Sequence, residues 1–205
     1  MKISRSIFFK GFRSKILKDK TVDIFKKLIN EDNKILQSLN KSYKNSYKSN
    51  FIKKLKKYSE INLIGMGGSS LGARSIYSFL NHKINKKFNF FDNLNPIKSN
   101  NKLKKNDKLN IIISKSGNTL ETIANVNFLR RKKQKNIFIT ENKMSYLNDL
   151  AQKLKADVIS HNNYIGGRYS VLSEVGMLPA DLMGLNHKNF RQFNNLVKNK
   201  NFIRS

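Results

Sequence analysis

Five short apolar runs, separated by stretches of helical periodicity, constrain the fold of this chain more than any other feature of its sequence. The runs lie at 61–65, 88–91, 109–114, 136–140 and 157–160. Runs of this length suit buried strands, and the stretches between them are long enough to be crossover helices. The sequence therefore predicts an α/β fold, a doubly wound parallel five-stranded sheet with helices on both faces.

Helices are expected between these strands and also ahead of them. The crossover helices are predicted at 71–81, 120–132 and 144–155, and a last helix at 171–183. Pro179 predicts a kink in that last helix, or a break into two shorter ones, because proline lacks a backbone N–H. The polar connection 93–108, which contains Pro96, is interpreted as a loop or a poorly formed helix. Apolar residues at helical spacing predict two or three amphipathic helices within 21–58.

Composition gives weaker evidence, and it bears on the partners and the location of the chain. A net charge of +28, from 41 Lys plus Arg against 13 Asp plus Glu, would attract a polyanion. The lysines are spread along the whole chain with abundant Asn, Ile and Phe, so the charge is interpreted as a compositional bias, and no nucleic-acid partner is expected. The absence of cysteine fits a cytoplasmic location. No apolar run approaches about 18 residues, so no membrane partner is expected.

A glycine-rich loop, Gly65-Met66-Gly67-Gly68-Ser69-Ser70-Leu71-Gly72, connects the first predicted strand to a helix. Glycines allow the backbone to approach a ligand, and the amides at the start of the helix favour an anion. The GxGG spacing lacks the GxGxxG pattern and the later acidic residue of a dinucleotide site. The alternative is a tight strand-to-helix turn that simply requires glycine.

A second loop with anion-binding chemistry follows the third predicted strand and precedes a helix. It comprises Ser114, Lys115, Ser116, Gly117, Asn118 and Thr119. Hydroxyls, a flexible glycine and one lysine at a helix start are the groups that a phosphate monoester needs. The alternative is an ordinary helix cap. The GxxxxGK[ST] pattern is absent, which argues against a nucleoside triphosphatase.

Arg168 is the third candidate, since it follows a Gly-Gly turn after the last predicted strand. An arginine can stabilise a developing oxyanion with fixed donors, although a lone arginine is more often a surface ion-pair partner.

These segments, in this order, resemble those of the glucose-6-phosphate isomerase family, whose sugar isomerase (SIS) domains bind phosphosugars. The similar stretches are IGMGGSSLGAR, FFDNLNP at 90–96, ISKSGNTLETI, and NYIGGRYSVLSEVGMLPADLMG at 163–184. The resemblance implies interconversion of glucose 6-phosphate and fructose 6-phosphate in glycolysis and gluconeogenesis, by a homodimer that uses no metal or redox cofactor. It also implies three regions, an N-terminal helical extension at 1–58, an SIS-like domain at 59–187 and the start of a truncated C-terminal region at 188–205.

The resemblance further implies roles for individual residues. Gly68 and Ser69 would contact the sugar phosphate or its neighbouring hydroxyls, and Arg168 would stabilise the enediolate-like intermediate. The phosphate would be bound by Ser114, Lys115, Ser116 and Thr119, and Gly117 and Asn118 would also belong to the substrate-binding residues. Gly117-Asn118 departs from the Phe-Thr of the family and approaches the SxSGxT form of other SIS domains.

The proton-transfer residues of the family, a glutamate, a histidine and a lysine beyond the GGRYS segment, have no equivalent in this sequence. The chain is therefore expected to bind phosphosugar without turning it over, as a truncated copy of the enzyme. The alternative is a non-catalytic SIS module that senses a sugar phosphate. Surface or capping roles are expected for the histidines, and solvent-facing or dipole-stabilising roles for Glu121 and Glu174.

Overall fold

The computed structural model describes residues 18–94, 108–129 and 134–191. The chain forms two compact units, one of residues 44–187 and the other of residues 1–43 with 188–205. The first unit contains the whole sheet. The domain boundaries predicted after residues 58 and 187 stay predictions.

Five parallel strands form one sheet in the order β2-β1-β3-β4-β5. They are β1 Glu60–Ile64, β2 Lys87–Phe91, β3 Lys108–Ile113, β4 Lys135–Thr140 and β5 Asp157–Ser160. Each strand begins and ends within one residue of the run that predicted it. The predicted parallel five-stranded α/β fold is confirmed.

Seven α-helices accompany the described part of this sheet and its N-terminal extension. They are α1 Lys18–Asn30, α2 Lys34–Ser38, α3 Ser49–Leu55, α4 Leu71–Phe79, α5 Leu120–Leu129, α6 Tyr146–Lys153 and α7 Glu174–Leu182. Short 3₁₀ helices lie at Gly67–Ser69, Asn81–Lys83, Gly167–Leu172 and His187–Arg191. The crossover helices occur where they were predicted, and most of the connection predicted at 93–108 lies outside the described residues.

The break in the last predicted helical stretch falls at Ser173 and not at Pro179. Residues Gly167–Leu172 form a 3₁₀ helix, and Ser173 then caps α7 by accepting a hydrogen bond from the amide of Val175. Helix α7 continues through Pro179, although proline cannot donate to the preceding turn. Because nearly every residue of α7 is buried, packing on both sides of the proline compensates for that missing hydrogen bond.

The sheet is doubly wound because the strand order reverses at β1. Residues of α5 and α6 pack over Ile64, Ile112 and Phe138 on one face. The chain leaves β1 towards β2 but progresses from β3 to β5 in the opposite direction, so a right-handed crossover places α4 on the other face. Helix α4 packs there beside α7. The switch point, where such folds bind ligands, lies between the carboxyl ends of β1 and β3.

A row of hydrogen-bonded asparagines, the asparagine ladder, crosses four strands of the sheet. Asn89 donates to Asn62 at 3.0 Å, Asn62 to Asn110 at 2.9 Å, and Asn110 to Asn136 at 2.9 Å. These residues lie opposite one another in the strand pairing. A slip of one residue would move an amide to the other face and leave its partners unpaired in the core, so the asparagine ladder favours one register.

No helix in the described parts of the chain is long and apolar enough to cross a membrane.

Candidate functional site

The glycine-rich loop after β1 lies directly beside the end of β3. A Cβ atom added to Gly65 would be 2.8 Å from the carbonyl oxygen of Ile113 and 3.0 Å from Cβ of Ser69. This close approach places Ser69 next to the start of the loop at Ser114–Thr119. The two loops that the sequence singled out therefore meet at the switch point of the sheet, on the edge formed by the strand carboxyl ends.

Three hydroxyl groups converge in the loop that leads from β3 into α5. Ser114 Oγ and Thr119 Oγ1 are 2.9 Å apart, and Ser116 Oγ is 3.5 Å from the same Thr119 atom. The amides of Gly117 and Asn118 each donate at 3.2 Å, to Ser114 Oγ and Ser116 Oγ respectively. Such hydroxyls can rotate to donate to an anion, and the loop opens onto the positive N-terminus of α5.

The N-terminal end of α6 contacts the Ser114–Thr119 loop and holds it in position. Gly117 has φ of +70°, and a Cβ atom there would be 2.6 Å from Cβ of Ser145, so only glycine fits. The carbonyl of Gly117 accepts from the amide of Leu147 at 3.0 Å. Asn118 Oδ1 accepts from the amide of Tyr146 at 2.8 Å. Gly117 and Asn118, both predicted to bind substrate, thus anchor the Ser114–Thr119 loop to α6.

Lys115 connects three loops at the carboxyl edge of the sheet. Its Nζ atom donates to the carbonyl of Asn163 at 2.6 Å and lies 3.5 Å from Glu141 Oε1. Glu141 is also 2.6 Å from Nζ of Lys143. Burial alone would raise the pKa of Glu141, but the hydrogen bonds and positive charges of Lys143 and Lys115 outweigh it and lower that pKa. Lys115 is therefore half-buried and paired, and its predicted contact with a phosphate stays a prediction.

The segment that carries Arg168 packs against the β1 loop. A Cβ atom added to Gly68 would contact the carbonyl oxygen of Gly167 and lie only 2.5 Å from its carbonyl carbon. Ser170 Oγ donates to the carbonyl oxygen of Gly68 at 3.1 Å. Arg168 follows Gly167 and is exposed. The structure therefore brings the three predicted segments together, with Arg168 beside Gly68 and Ser69.

A buried pair, His161 and Glu174, is the feature of this region that sequence reasoning missed. His161 is 4% exposed and Glu174 0%. Nδ1 of His161 is 2.6 Å from Glu174 Oε1, and its Nε2 is 3.1 Å from the carbonyl oxygen of Ile165. The surface or capping role expected for His161 and the solvent-facing role expected for Glu174 are wrong. An acidic residue directly before the apolar run 175–180 was the signal, because a buried carboxylate requires a partner.

The other histidines differ from His161. His82 is exposed on the 3₁₀ helix Asn81–Lys83, and Nδ1 of His187 is 2.8 Å from Asp181 Oδ1. Within residues 18–94, 108–129 and 134–191, no three His, Cys, Asp or Glu side chains come together as a metal site.

A doubly wound parallel sheet, with a hydroxyl-lined loop at its switch point, defines an α/β domain with a candidate ligand site at the carboxyl edge of its sheet. The phosphoglucose isomerase family model matches residues 4–202, and the chain belongs to this family. The resemblance noted in the sequence is thereby confirmed.

A curated relative agrees with this assignment, and two solved structures share the fold. The chain is 33% identical over 167 residues to a glucose-6-phosphate isomerase of Methanocaldococcus jannaschii, an alignment covering 75% of this chain and 41% of that relative. A hypothetical protein from Thermus thermophilus has a similar fold, with a TM-score of 0.65 and 20% identity over 87% of this chain and 46% of its own. A tagatose-6-phosphate ketose/aldose isomerase from Escherichia coli matches with a TM-score of 0.51 and 20% identity, covering 87% and 50%. The chain thus spans about two fifths of the curated relative's length.

Proposed function

We propose that this chain forms the phosphosugar-binding part of a glucose-6-phosphate isomerase, which interconverts glucose 6-phosphate and fructose 6-phosphate in glycolysis and gluconeogenesis. The observation that carries the proposal is the convergence of Ser69, the Ser114–Thr119 loop and Arg168 at the switch point. The curated relative bears the name of this enzyme, so the alternative of a non-catalytic sensor is not favoured. The family resemblance supports a cytoplasmic homodimer without metal or redox cofactor.

The phosphate is assigned to the loop between β3 and α5. Hydroxyls of Ser114, Ser116 and Thr119 would turn from one another to the phosphate oxygens, and the α5 N-terminus would favour its negative charge. Gly68 and Ser69 would contact the phosphate or the neighbouring sugar hydroxyls from the β1 side. Lys115 would contribute its charge from a fixed position, because Asn163 and Glu141 hold its amine.

Arg168 is assigned to the reacting end of the sugar. Isomerisation requires a base to remove the proton from C2 of the aldose, whereupon the electrons form a C1–C2 double bond and the C1 carbonyl oxygen becomes an oxyanion. A proton passes from the C2 hydroxyl to the C1 oxygen, the proton taken from C2 returns at C1, and the C2 oxygen becomes the carbonyl of the ketose. A guanidinium is charged at every physiological pH and offers fixed donors, so an exposed Arg168 beside Gly68 suits this oxyanion.

The acid and base of this reaction are assigned to the remainder of the enzyme. Glu141 is held by Lys143 and Lys115, and His161 and Glu174 bind each other in the protein interior. The chain alone is therefore expected to bind the substrate and not to convert it.

Isothermal titration calorimetry of the purified chain tests this function. Saturable binding of glucose 6-phosphate and fructose 6-phosphate is expected, with no binding of unphosphorylated glucose. Ser114→Ala and Thr119→Val should each weaken binding roughly tenfold or more, because a hydrogen bond to a charged group contributes about 1.5–3 kcal/mol. Ser78→Ala, at an exposed position of α4, is the matched control and should bind normally. Equal binding of glucose and glucose 6-phosphate would overturn the proposal.

A further inference from the structure

Helix α5 presents an exposed apolar side to the outside of the sheet domain. Leu120 is 73% exposed and Phe128 is 68% exposed, and Ala124, halfway between them, is exposed as well. Residues four positions apart lie on the same side of a helix. Thr122 and Val126 lie on the opposite side and are buried. The apolar side is therefore not the one that packs α5 onto the sheet.

Two residues at the N-terminal end of α6 extend this apolar side. Tyr146 Oη is 3.1 Å from Asn127 Nδ2 of α5, which places the tyrosine alongside that helix. Met144, two residues earlier in the chain, is 96% exposed. The exposed residues together form a surface that we call the α5 face, comprising Leu120, Ala124, Phe128, Met144 and Tyr146. Side chains of this size expose an area on the order of 500 Å², which is typical of interaction surfaces.

The α5 face lacks the positive charge that dominates the rest of the chain. Lys and Arg make up 41 of the 205 residues, yet α5 contains neither. Among the seven described α-helices, only α7 shares this property, and α7 is almost wholly buried. Lys143, beside Met144, is paired with Glu141. A chain of net charge +28 repels a copy of itself wherever lysines face each other, so an uncharged face is where two copies can approach.

We propose that the α5 face binds the α5 face of a second copy of this chain across a two-fold axis. The pattern is self-complementary, because the small Ala124 lies between two large side chains and lets two helices cross closely. With antiparallel helices, Leu120 would pack beside Phe128 of the partner subunit, and symmetry would repeat the contact. Nucleic acid, acidic proteins and membrane headgroups fit less well, because they are bound by the lysines and arginines that α5 lacks. The interface provides a surface for the homodimer named above and does not rest on phosphosugar binding.

Sedimentation equilibrium of the full chain tests whether this dimer forms. Two α5 faces would bury roughly 1,000 Å² in total, near the lower limit of specific interfaces, so a weak dimer with a Kd on the order of 10 µM is expected. The average mass should rise from that of one chain towards that of two between about 1 and 300 µM protein. Raising NaCl from about 50 to 500 mM should tighten the dimer, because salt screens the repulsion between two cationic chains. A chain that stays monomeric at the highest protein and salt concentrations would overturn the inference.

Three variants at exposed positions locate the interface. Ala124→Lys places two like charges at the two-fold axis and should weaken the dimer at least a hundredfold, and Phe128→Ser should weaken it at least tenfold, because a symmetric interface carries each substitution twice. Phe79→Ser is the matched control, since Phe79 is 83% exposed at the end of α4, and it should dimerise as the wild type does. Circular dichroism should show that all three are folded.

The proposed interface is wrong if Ala124→Lys still dimerises, or if Phe79→Ser weakens the dimer as much as Phe128→Ser does. Sedimentation is measured without sugar, so its outcome is separate from the calorimetric test of the proposed function.

Discussion

Gly68→Ala should separate the β1 loop from the segment that carries Arg168. The new Cβ atom would lie 2.5 Å from the carbonyl carbon and 2.8 Å from Cα of Gly167. Non-bonded carbon atoms prefer separations of about 3.5–4.0 Å, so the two loops must move apart by about 1 Å. Both surfaces in this contact are backbone, and no side chain can rotate out of the way.

The cost of this change can be bounded from the structure. Overpacking of a tight contact costs about 1–3 kcal/mol, and displacing Gly68 would also weaken the 3.1 Å hydrogen bond from Ser170, which contributes about 1 kcal/mol. The substitution also stabilises the folded state by about 0.4–1 kcal/mol, because alanine leaves the unfolded chain with less conformational freedom than glycine does. The free energy of unfolding should therefore fall by roughly 1–3 kcal/mol.

Urea denaturation followed by circular dichroism measures this loss, which should lower the unfolding midpoint by roughly 1 M. Gly167→Ala is the matched control from the other side of the same contact. Its nearest new neighbour would be Cα of Gly68 at 3.7 Å, an ordinary contact, so its midpoint should stay close to that of the wild type. The reasoning is refuted if the two variants unfold at the same urea concentration.

Two further predictions concern stability away from Arg168. Asn110→Ala should lower the free energy of unfolding by at least about 2 kcal/mol in urea denaturation, because Asn62 and Asn136 lose their buried partner. Its affinity for phosphosugar should stay unchanged, which would show that the asparagine ladder lies outside the site. Glu141→Gln tests the lowered pKa, in which the hydrogen bond and charge of Lys143 outweigh the opposing effect of burial. A carboxyl group whose pKa is lowered by folding stabilises the fold at pH values above the ordinary pKa of 4.5, and this stabilisation is lost as the pH falls through the folded pKa. The wild type should therefore be more stable than this variant at pH 7, and the difference in the free energy of unfolding should shrink towards pH 3. A difference that does not change with pH would contradict the prediction.

The sequence was sufficient to predict β1, β3 and β4 because each is a compact apolar run, a local signal that burial on both faces imposes, and the less buried β2 and β5 still stand out as short runs between helical stretches. It also located the two loops of the candidate site, since glycines and hydroxyls before a helix form a local pattern. It could not predict the strand order, which brings Gly65 against Ile113 through contacts between distant residues. For the same reason it missed the pairing of Lys115 with Glu141, which depends on how neighbouring strands end.

The path of the segment after β5 explains why so many polar side chains near the site contact backbone. From the edge strand β5 it must reach the loop after β1, three strand spacings away, or about 14 Å. Carbonyl groups along this path have no neighbouring strand, and each requires a donor. Lys115 supplies one for Asn163, and His161 supplies one for Ile165. These two side chains therefore satisfy the crossing backbone, which fixes the amine of Lys115 in the position from which the proposed function has it contribute its charge.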